Sequence, residues 1–187
     1  MTKNRRHEKT STATDFARLM LRSSIGGTMI AHGVKHARSL NGTARWFESI
    51  GFRNPELQAK MSAVVEIGAG TALLAGLPTP LGASAIVATL AVAARSVHLP
   101  NGFFITNEGY EYVASITAAT IALGALGAGR YSADAALGLD NRLSGRRGAL
   151  ITAGLGIIGA TAQLTTYWTP GRHTHLEEVA APSDPSR

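Results

Sequence analysis

Two pairs of basic side chains are spaced so that each could act on a single ligand. His32 and His36 are four residues apart, and Arg95 and His98 are three apart, so each pair would share one face of a helix. Glu66 stands in a long run that has no other charge. Histidine and arginine donate to carbonyl oxygens and a buried carboxylate accepts protons, so these residue types fit a site for a proton-coupled headgroup.

A second set of candidate residues lies in the stretch HLPNGFFITNEGYEY, residues 98–112. Its phenylalanines and tyrosines are more typical of the aromatic belt at a membrane surface than of a stacking site. We predict that its polar residues join the two basic pairs around one ligand or quinone cavity, in which no catalytic residue is assigned. The residues expected to line this cavity are His32, Glu66, Arg95, His98, Asn101, Glu111 and Tyr112.

Five apolar segments must position these residues. Apolar residues make up 45% of the 187 and charged residues only 16%, whereas roughly a quarter of an average soluble domain is charged. Each segment is close to the ~20 residues that cross a bilayer as a helix. The predicted segments are residues 16–36, 57–77, 80–98, 109–128 and 148–168.

A multi-pass membrane protein is the class that this pattern favours. A soluble helical bundle would need a polar stripe on every helix, and the fourth and fifth segments have no charged stripe. The net charge of +6 is spread over termini and loops without a basic motif, which argues against nucleic-acid binding. The chain has no cysteine, which excludes thiol chemistry of its own.

Alternating helices would bring the candidate residues to one membrane face. The end of the first segment, the start of the second, the end of the third and the start of the fourth meet there, which predicts a funnel with Glu66 at its base. Basic residues are slightly more numerous on the other side, which holds the N-terminus. The N-terminus is therefore predicted to lie in the cytoplasm.

Several interpretations of Glu66 remain open from the sequence. An ion pair with Arg95 would satisfy the carboxylate and fix the helix register without any ligand. A quinone-like headgroup would instead use Arg95 or His98 as a donor and Glu66 or Glu111 as a proton acceptor. A metal bound by His32, His98 and Glu66 is a weaker candidate, because no ligand motif with diagnostic spacing is present, and haem between the two histidines is weaker still.

Two local features are predicted beyond the third segment. Ser132 is placed to cap a short surface helix. In the fifth segment, Gly156 and Ala160 have the spacing of small residues at a helix–helix contact, and Tyr167 and Trp168 end the segment as an interfacial belt.

Several motifs, in this order, resemble the DoxX family of small bacterial integral membrane proteins. AHG at the end of the first segment and GTARWFESIGFRNP after it are similar to the family's first helix and loop. HLPNGFF, GYEY and GAGRYSADAALG follow, so the resemblance covers about residues 15–140. The positions matched in these later motifs are His98, Asn101, Gly102, Phe103, Phe104, Gly109, Glu111, Arg130 and Asp134.

The resemblance implies a four-helix membrane core and a link to quinone-dependent oxidoreductases. We therefore expect an all-α polytopic membrane helix bundle, with a polar N-terminal tail (1–14), a DoxX-like four-helix core (15–140), a fifth transmembrane segment (141–169) and a polar C-terminal tail (170–187). It would lie in the bacterial cytoplasmic (inner) membrane, in contact with lipid. Its expected role is a quinone-linked or accessory subunit of a larger membrane oxidoreductase or respiratory complex, rather than an enzyme alone. The alternatives are a non-catalytic scaffold or docking subunit, and a small-molecule or proton pathway along the funnel.

Overall fold

The described residues form seven α-helices and no strand. The computed structural model describes residues 2–139 and 142–170, with side chains from residue 12 onward. The helices are α1 (Thr2–Arg38), α2 (Leu40–Ser49), α3 (Pro55–Ala75), α4 (Thr79–Ala93), α5 (Glu111–Leu126), α6 (Ala133–Ala136) and α7 (Gly145–Tyr167). A π-helical turn, Ala94–His98, extends α4, and 3₁₀ turns follow at Leu99–Asn101 and Ile105–Asn107. The all-α prediction is confirmed.

Each of the five predicted segments corresponds to a long helix, namely α1, α3, α4 with its π turn, α5 and α7. Helix α1 is longer than predicted and includes most of the predicted polar N-terminal tail. Helix α2 lies in the connection between the first two predicted segments, where the sequence predicted no helix. Residues 171–187, almost all of the predicted C-terminal tail, lie outside the described residues.

Four helices form the core of the bundle, and the fifth long helix packs on its outside. Helix α1 contacts α3, α3 contacts α4, α4 contacts α5, and α5 returns to α1, so the four close a ring. Helix α7 packs against α4 and α5. The interior of the ring is apolar, and its buried residues are Ile25, Met29, Ala69, Leu73, Ala83, Ile86, Leu90, Val113 and Leu123. This is the four-helix core with an added fifth helix that the sequence predicted.

Glycines let the helices approach closely, as is common in membrane bundles. A Cβ atom on Gly70 of α3 would lie 2.6 Å from the carbonyl oxygen of Gly26 in α1, and one on Gly26 would lie 2.7 Å from that of Gly70. On α7, Gly156 and Ala160 are buried, and Gly156 faces Val87 of α4. The predicted small-residue contact of the fifth segment is therefore confirmed.

Two of the helices are long and apolar enough to cross a membrane by length and composition. They are Thr79–Asn101, in which α4 continues through its π turn, and α7, while α5 is a shorter apolar helix. Helix α7 exposes large apolar side chains such as Leu150, Ile157 and Ile158. Helices α1 and α3 include polar residues, but Arg22 and Glu66 face the protein interior, which is where membrane proteins place such groups.

Polar side chains concentrate at opposite ends of the bundle. The Arg22 end contains the start of the core part of α1, the α3–α4 turn and the connection from α5 to α7. The Glu66 end contains the last turns of α1, helix α2, the loop of residues 99–110 and the end of α7. Because α7 adds one more crossing, the two ends of the described chain lie on opposite sides.

Candidate functional site

Glu66 is the buried end of a short chain of polar side chains at the seam between α1 and α3. Its Oε1 atom accepts a hydrogen bond of 2.6 Å from the hydroxyl of Ser62, one helical turn earlier on α3. The same hydroxyl lies 2.8 Å from Nδ1 of His36, on α1. Glu66 is only 4% exposed, and its Oε2 atom has no hydrogen-bond partner among the described residues. A buried carboxylate oxygen without a partner is costly, so it calls for an explanation.

Close packing of α1 on α3 brings these three side chains together. Gly33 of α1 lies against the backbone of α3. A Cβ atom on Gly33 would stand 2.9 Å from the backbone nitrogen of Ile67 and 3.0 Å from the carbonyl oxygen of Ala63. His36 follows Gly33 by three residues and therefore lies on the same side of α1. Sequence reasoning placed both histidines of α1 near Glu66 but did not identify Ser62, although its spacing of four from Glu66 was a readable signal.

Other polar groups border this seam on the α1 and α2 sides. His32 is exposed one turn before His36, and it lies near Glu66. Lys35 is similarly close to His36. The ring of Trp46 in α2 lies 6.5 Å from the ring of His36, centroid to centroid. The outer end of the chain is therefore lined by cationic and aromatic groups, while the inner end is a carboxylate.

The predicted ion pair between Glu66 and Arg95 is wrong. Arg95 is exposed, and its guanidinium lies over the ring of Trp168, 4.8 Å from the centroid. The indole N–H of Trp168 donates to the carbonyl oxygen of Ile50 at 2.8 Å. Glu66 faces α1, whereas Arg95, in the π turn that extends α4, faces the end of α7. The two side chains therefore point in different directions although they lie at the same end of the bundle.

His98 and Glu111, near the two ends of HLPNGFFITNEGYEY, stabilise the loop between them through hydrogen bonds to its backbone. Nδ1 of His98 lies 2.6 Å from the carbonyl oxygen of Glu108, whose backbone is in the left-handed region with φ of 59°. The carboxylate of Glu111 accepts a hydrogen bond of 3.1 Å from the backbone N–H of Ile105. Asn101 donates back to the carbonyl of Val97 at 3.2 Å. These contacts explain the motif as local loop structure.

Close backbone approach inside the loop accounts for Gly109. The N–H groups of Tyr110 and Glu111 donate to the carbonyls of Gly102 and Phe103 at 3.0 and 2.9 Å. A Cβ atom on Gly109 would lie 2.6 Å from the carbonyl carbon of Phe103, so only glycine fits there without a shift. Tyr112, the last predicted cavity residue, is exposed.

The metal candidates do not come together. Within the described part of the chain, no group of three His, Cys, Asp or Glu residues could hold a metal ion. Of the three candidates, His32 lies near Glu66, while His98 is engaged by the loop of residues 99–110. The haem candidate between His32 and His98 stays a prediction, because the contact of His98 Nδ1 with a carbonyl leaves Nε2 free.

Arg22 organises the opposite end of the bundle, and sequence reasoning did not identify it as a site residue. It is 2% exposed and donates to four backbone carbonyls: Leu73 at 2.9 Å, Ala128 at 3.1 Å, Tyr131 at 2.8 Å and Leu74. The first and last of these belong to the final turn of α3, where unpaired carbonyls carry partial negative charge. An arginine inside an apolar segment was the signal that could have found it.

Two buried carboxylates complete the Arg22 end. Asp134 is 1% exposed, accepts from the backbone N–H of Thr79 at 2.9 Å at the start of α4, and lies close enough to attract Arg22. Asp15 pairs with Arg18 at 3.0 Å and with Arg130 at 2.8 Å. The motif GAGRYSADAALG therefore supplies structural contacts between α1, the α3–α4 turn and the α5–α7 connection.

The predicted helix cap at Ser132 is confirmed. The hydroxyl oxygen of Ser132 accepts a hydrogen bond of 3.1 Å from the backbone N–H of Ala135 at the start of α6. This short helix carries Asp134 into the Arg22 end. The cap thus helps to position a buried carboxylate rather than a surface feature alone.

Comparison with known proteins supports part of the resemblance seen in the sequence. Residues 17–99 match the model of the DoxX family, from the core part of α1 to the end of the π turn. The motifs after residue 99 lie outside this match. No curated protein and no solved structure matches the chain.

Proposed function

Given that residues 17–99 belong to the DoxX family, we propose that this integral membrane protein is a quinone-linked subunit of a membrane oxidoreductase assembly. The observation that carries the proposal is the buried Oε2 atom of Glu66, which has no partner among the described residues. The expected setting is the bacterial inner membrane, with the N-terminus in the cytoplasm and lipid around α7.

The α1–α3 seam carries the acceptor and the donors that a quinone headgroup would need. A quinol gives up protons when it is oxidised, so its site needs a proton acceptor as well as a donor to a ring oxygen. Glu66 supplies a free acceptor atom, and His32 and His36 supply donors on the neighbouring helix. The carboxylate is buried, where hydrogen bonding to a ligand contributes more than it would in water.

A second candidate, a non-catalytic scaffold, is favoured by a different observation. Arg95, His98 and Glu111, three of the predicted cavity residues, are engaged by Trp168, Glu108 and Ile105. In addition, α7 lies outside the family match and exposes several large apolar side chains. Such a helix could serve to dock a larger complex in the membrane.

A continuous pathway across the membrane has less support. The interior of the four-helix ring between Glu66 and Arg22 is filled by apolar side chains such as Met29, Leu73 and Ile86. Arg22 closes the far end by binding the carbonyls that line it. A proton that reaches Glu66 from one face therefore meets packed hydrocarbon on the other side.

Bound quinone provides the direct test of the leading proposal. The full chain would be purified in mild detergent, and quinone in its lipid extract would be measured by mass spectrometry. We expect near-stoichiometric quinone in the wild type and at least a tenfold loss in Glu66→Gln. Glu56→Gln, an exposed carboxylate in the first turn of the same helix, is the matched control and should retain quinone. Equal quinone in both variants would reject the Glu66 site.

Removal of α7 provides the test of the scaffold. A chain ending before Gly145 would be expressed in its host and compared with the full chain for co-purifying membrane proteins. Loss of a partner complex, with quinone content unchanged, would favour docking through α7. Retention of the complex would reject that role.

A further inference from the structure

Ser62 bridges two groups that do not reach each other directly. Glu66 Oε1 and His36 Nδ1 are 3.6 Å apart, beyond a good hydrogen bond, whereas Ser62 Oγ lies 2.6 Å from the first and 2.8 Å from the second. A hydroxyl can accept one hydrogen bond while donating another. The three side chains therefore form an unbroken chain of proton-carrying groups.

Exposure rises along this chain from the interior to the surface. The side chain of Glu66 is 5% exposed and that of His36 is 21% exposed, and Ser62 is also partly exposed. The last turn of α1 ends two residues after His36, at Arg38, where the chain turns into α2. The chain of groups thus begins within the protein and opens at one membrane face.

We propose that Ser62 and His36 form the outlet through which Glu66 exchanges its proton with the solvent at this face. When Glu66 is protonated on Oε1, the Ser62 hydroxyl turns from donating to that oxygen to donating to Nδ1 of His36. In the transfer step, the O–H bond of the Glu66 carboxyl then breaks as Ser62 Oγ accepts that proton. Ser62 passes its own hydroxyl proton to Nδ1 of His36, so Glu66 becomes a carboxylate and His36 an imidazolium. His36 then releases a proton to water. This inference rests on the proposed function, since it assigns the route by which a proton taken up at that same site would leave.

The surroundings of the chain favour a single outlet. His32 and Lys35 of α1 are the charged or titratable groups that act on its two ends, and Trp46 of α2 lies beside His36. Beyond Glu66, the adjacent part of α3 continues with buried apolar or small residues, Ala69, Gly70 and Leu73. Proton exchange of Glu66 should therefore depend on the two side chains on the outward side.

The test is the exchange rate of the Glu66 proton, measured by infrared spectroscopy in lipid nanodiscs. The carbonyl stretch of the protonated carboxyl would be identified as the band that Glu66→Gln lacks, and its shift after transfer to D2O would be timed. We expect Ser62→Ala to slow the shift at least tenfold, and His36→Gln to slow it similarly. Ser96→Ala, which removes a part-buried hydroxyl that donates to the carbonyl of Val92 at 2.8 Å and has no place in the chain of groups, should leave the rate within a factor of two.

Two results would overturn the inference. One is an exchange rate in Ser62→Ala equal to that of the wild type, and the other is the absence of any Glu66-dependent carboxyl band between acidic and alkaline pH. Quinone content is measured on the same samples and should be unchanged in Ser62→Ala. If Ser62→Ala exchanges the Glu66 proton at the wild-type rate and still binds quinone, only the outlet is rejected. Loss of quinone in Glu66→Gln alone would still support the proposed function.

Discussion

Replacement of Arg22 should destabilise the protein more than replacement of any other basic residue described here. The substitution Arg22→Met keeps most of the side-chain length but removes every donor to the four carbonyls, including those of Leu73 and Tyr131 at 2.9 and 2.8 Å. It also removes the cation beside Asp134, which is 1% exposed. The buried carboxylate of Asp134 then keeps, at Oδ2, the hydrogen bond from the backbone N–H of Thr79.

The size of the effect follows from these contacts. Hydrogen bonds from a charged group are worth about 1.5–3 kcal/mol each, and Arg22 makes four of them. Carbonyls that lose a buried donor add a cost of about 1 kcal/mol or more each, unless water enters. We expect a loss of at least about 3 kcal/mol in the free energy of unfolding, which for a chain of this size lowers Tm by roughly 6 °C or more.

Thermal unfolding in detergent, followed by circular dichroism, would measure the change. Arg22→Lys should lie between the wild type and Arg22→Met, because a lysine keeps the charge but cannot span four carbonyls. Arg130→Met is the matched control: its side chain is 53% exposed, and its pair with Asp15 should contribute under about 1 kcal/mol. If Arg22→Met changed Tm no more than Arg130→Met does, the reasoning about the Arg22 end would be refuted.

Two further substitutions test helix packing and the loop. Gly70→Ala places a Cβ atom 2.6 Å from the carbonyl oxygen of Gly26 and should destabilise the bundle by about 1–3 kcal/mol. The control is Gly68→Ala, where the added Cβ has nothing within 4 Å and the change should stay within about 0.5 kcal/mol. The Tm values of the two variants would be compared. His98→Ala removes the contact with the Glu108 carbonyl and should speed amide hydrogen exchange across residues 99–110 at least several-fold while quinone content stays unchanged. Loss of quinone in that variant would restore His98 to the ligand site.

The helices were the most predictable part of the fold. Runs of about 20 apolar residues correspond to helices because a chain in hydrocarbon must satisfy its own backbone hydrogen bonds. Helix α2 was missed as a helix because its ten residues, Leu40–Ser49, are too short and mixed for a spanning pattern. Phe47 of this helix is buried against Phe52 at 5.2 Å between ring centroids.

The candidate site was predicted in part. Glu66 stood out because a charge within a spanning segment is rarely accidental, and the structure buries it with a second titratable group, His36, beside it. The proposed partner was wrong, since alternation of helices fixes which end a residue occupies but not which neighbour it faces. Arg95 and Glu66 do lie at the same end of the bundle, yet they point to α7 and α1 respectively.

The sequence by itself indicated the membrane class, the number of long helices, the resemblance to the DoxX family over residues 17–99 and the end of the bundle that holds each polar residue. These properties depend on composition and on segment length, both of which can be read directly from the sequence. Only the tertiary structure decided that Ser62 joins Glu66 to His36, that His98 and Glu111 fasten a loop, and that Arg22 binds the carbonyls of α3 and of the α5–α7 connection. Those contacts depend on the rotation of each helix about its axis, which close packing at Gly26, Gly33 and Gly70 sets.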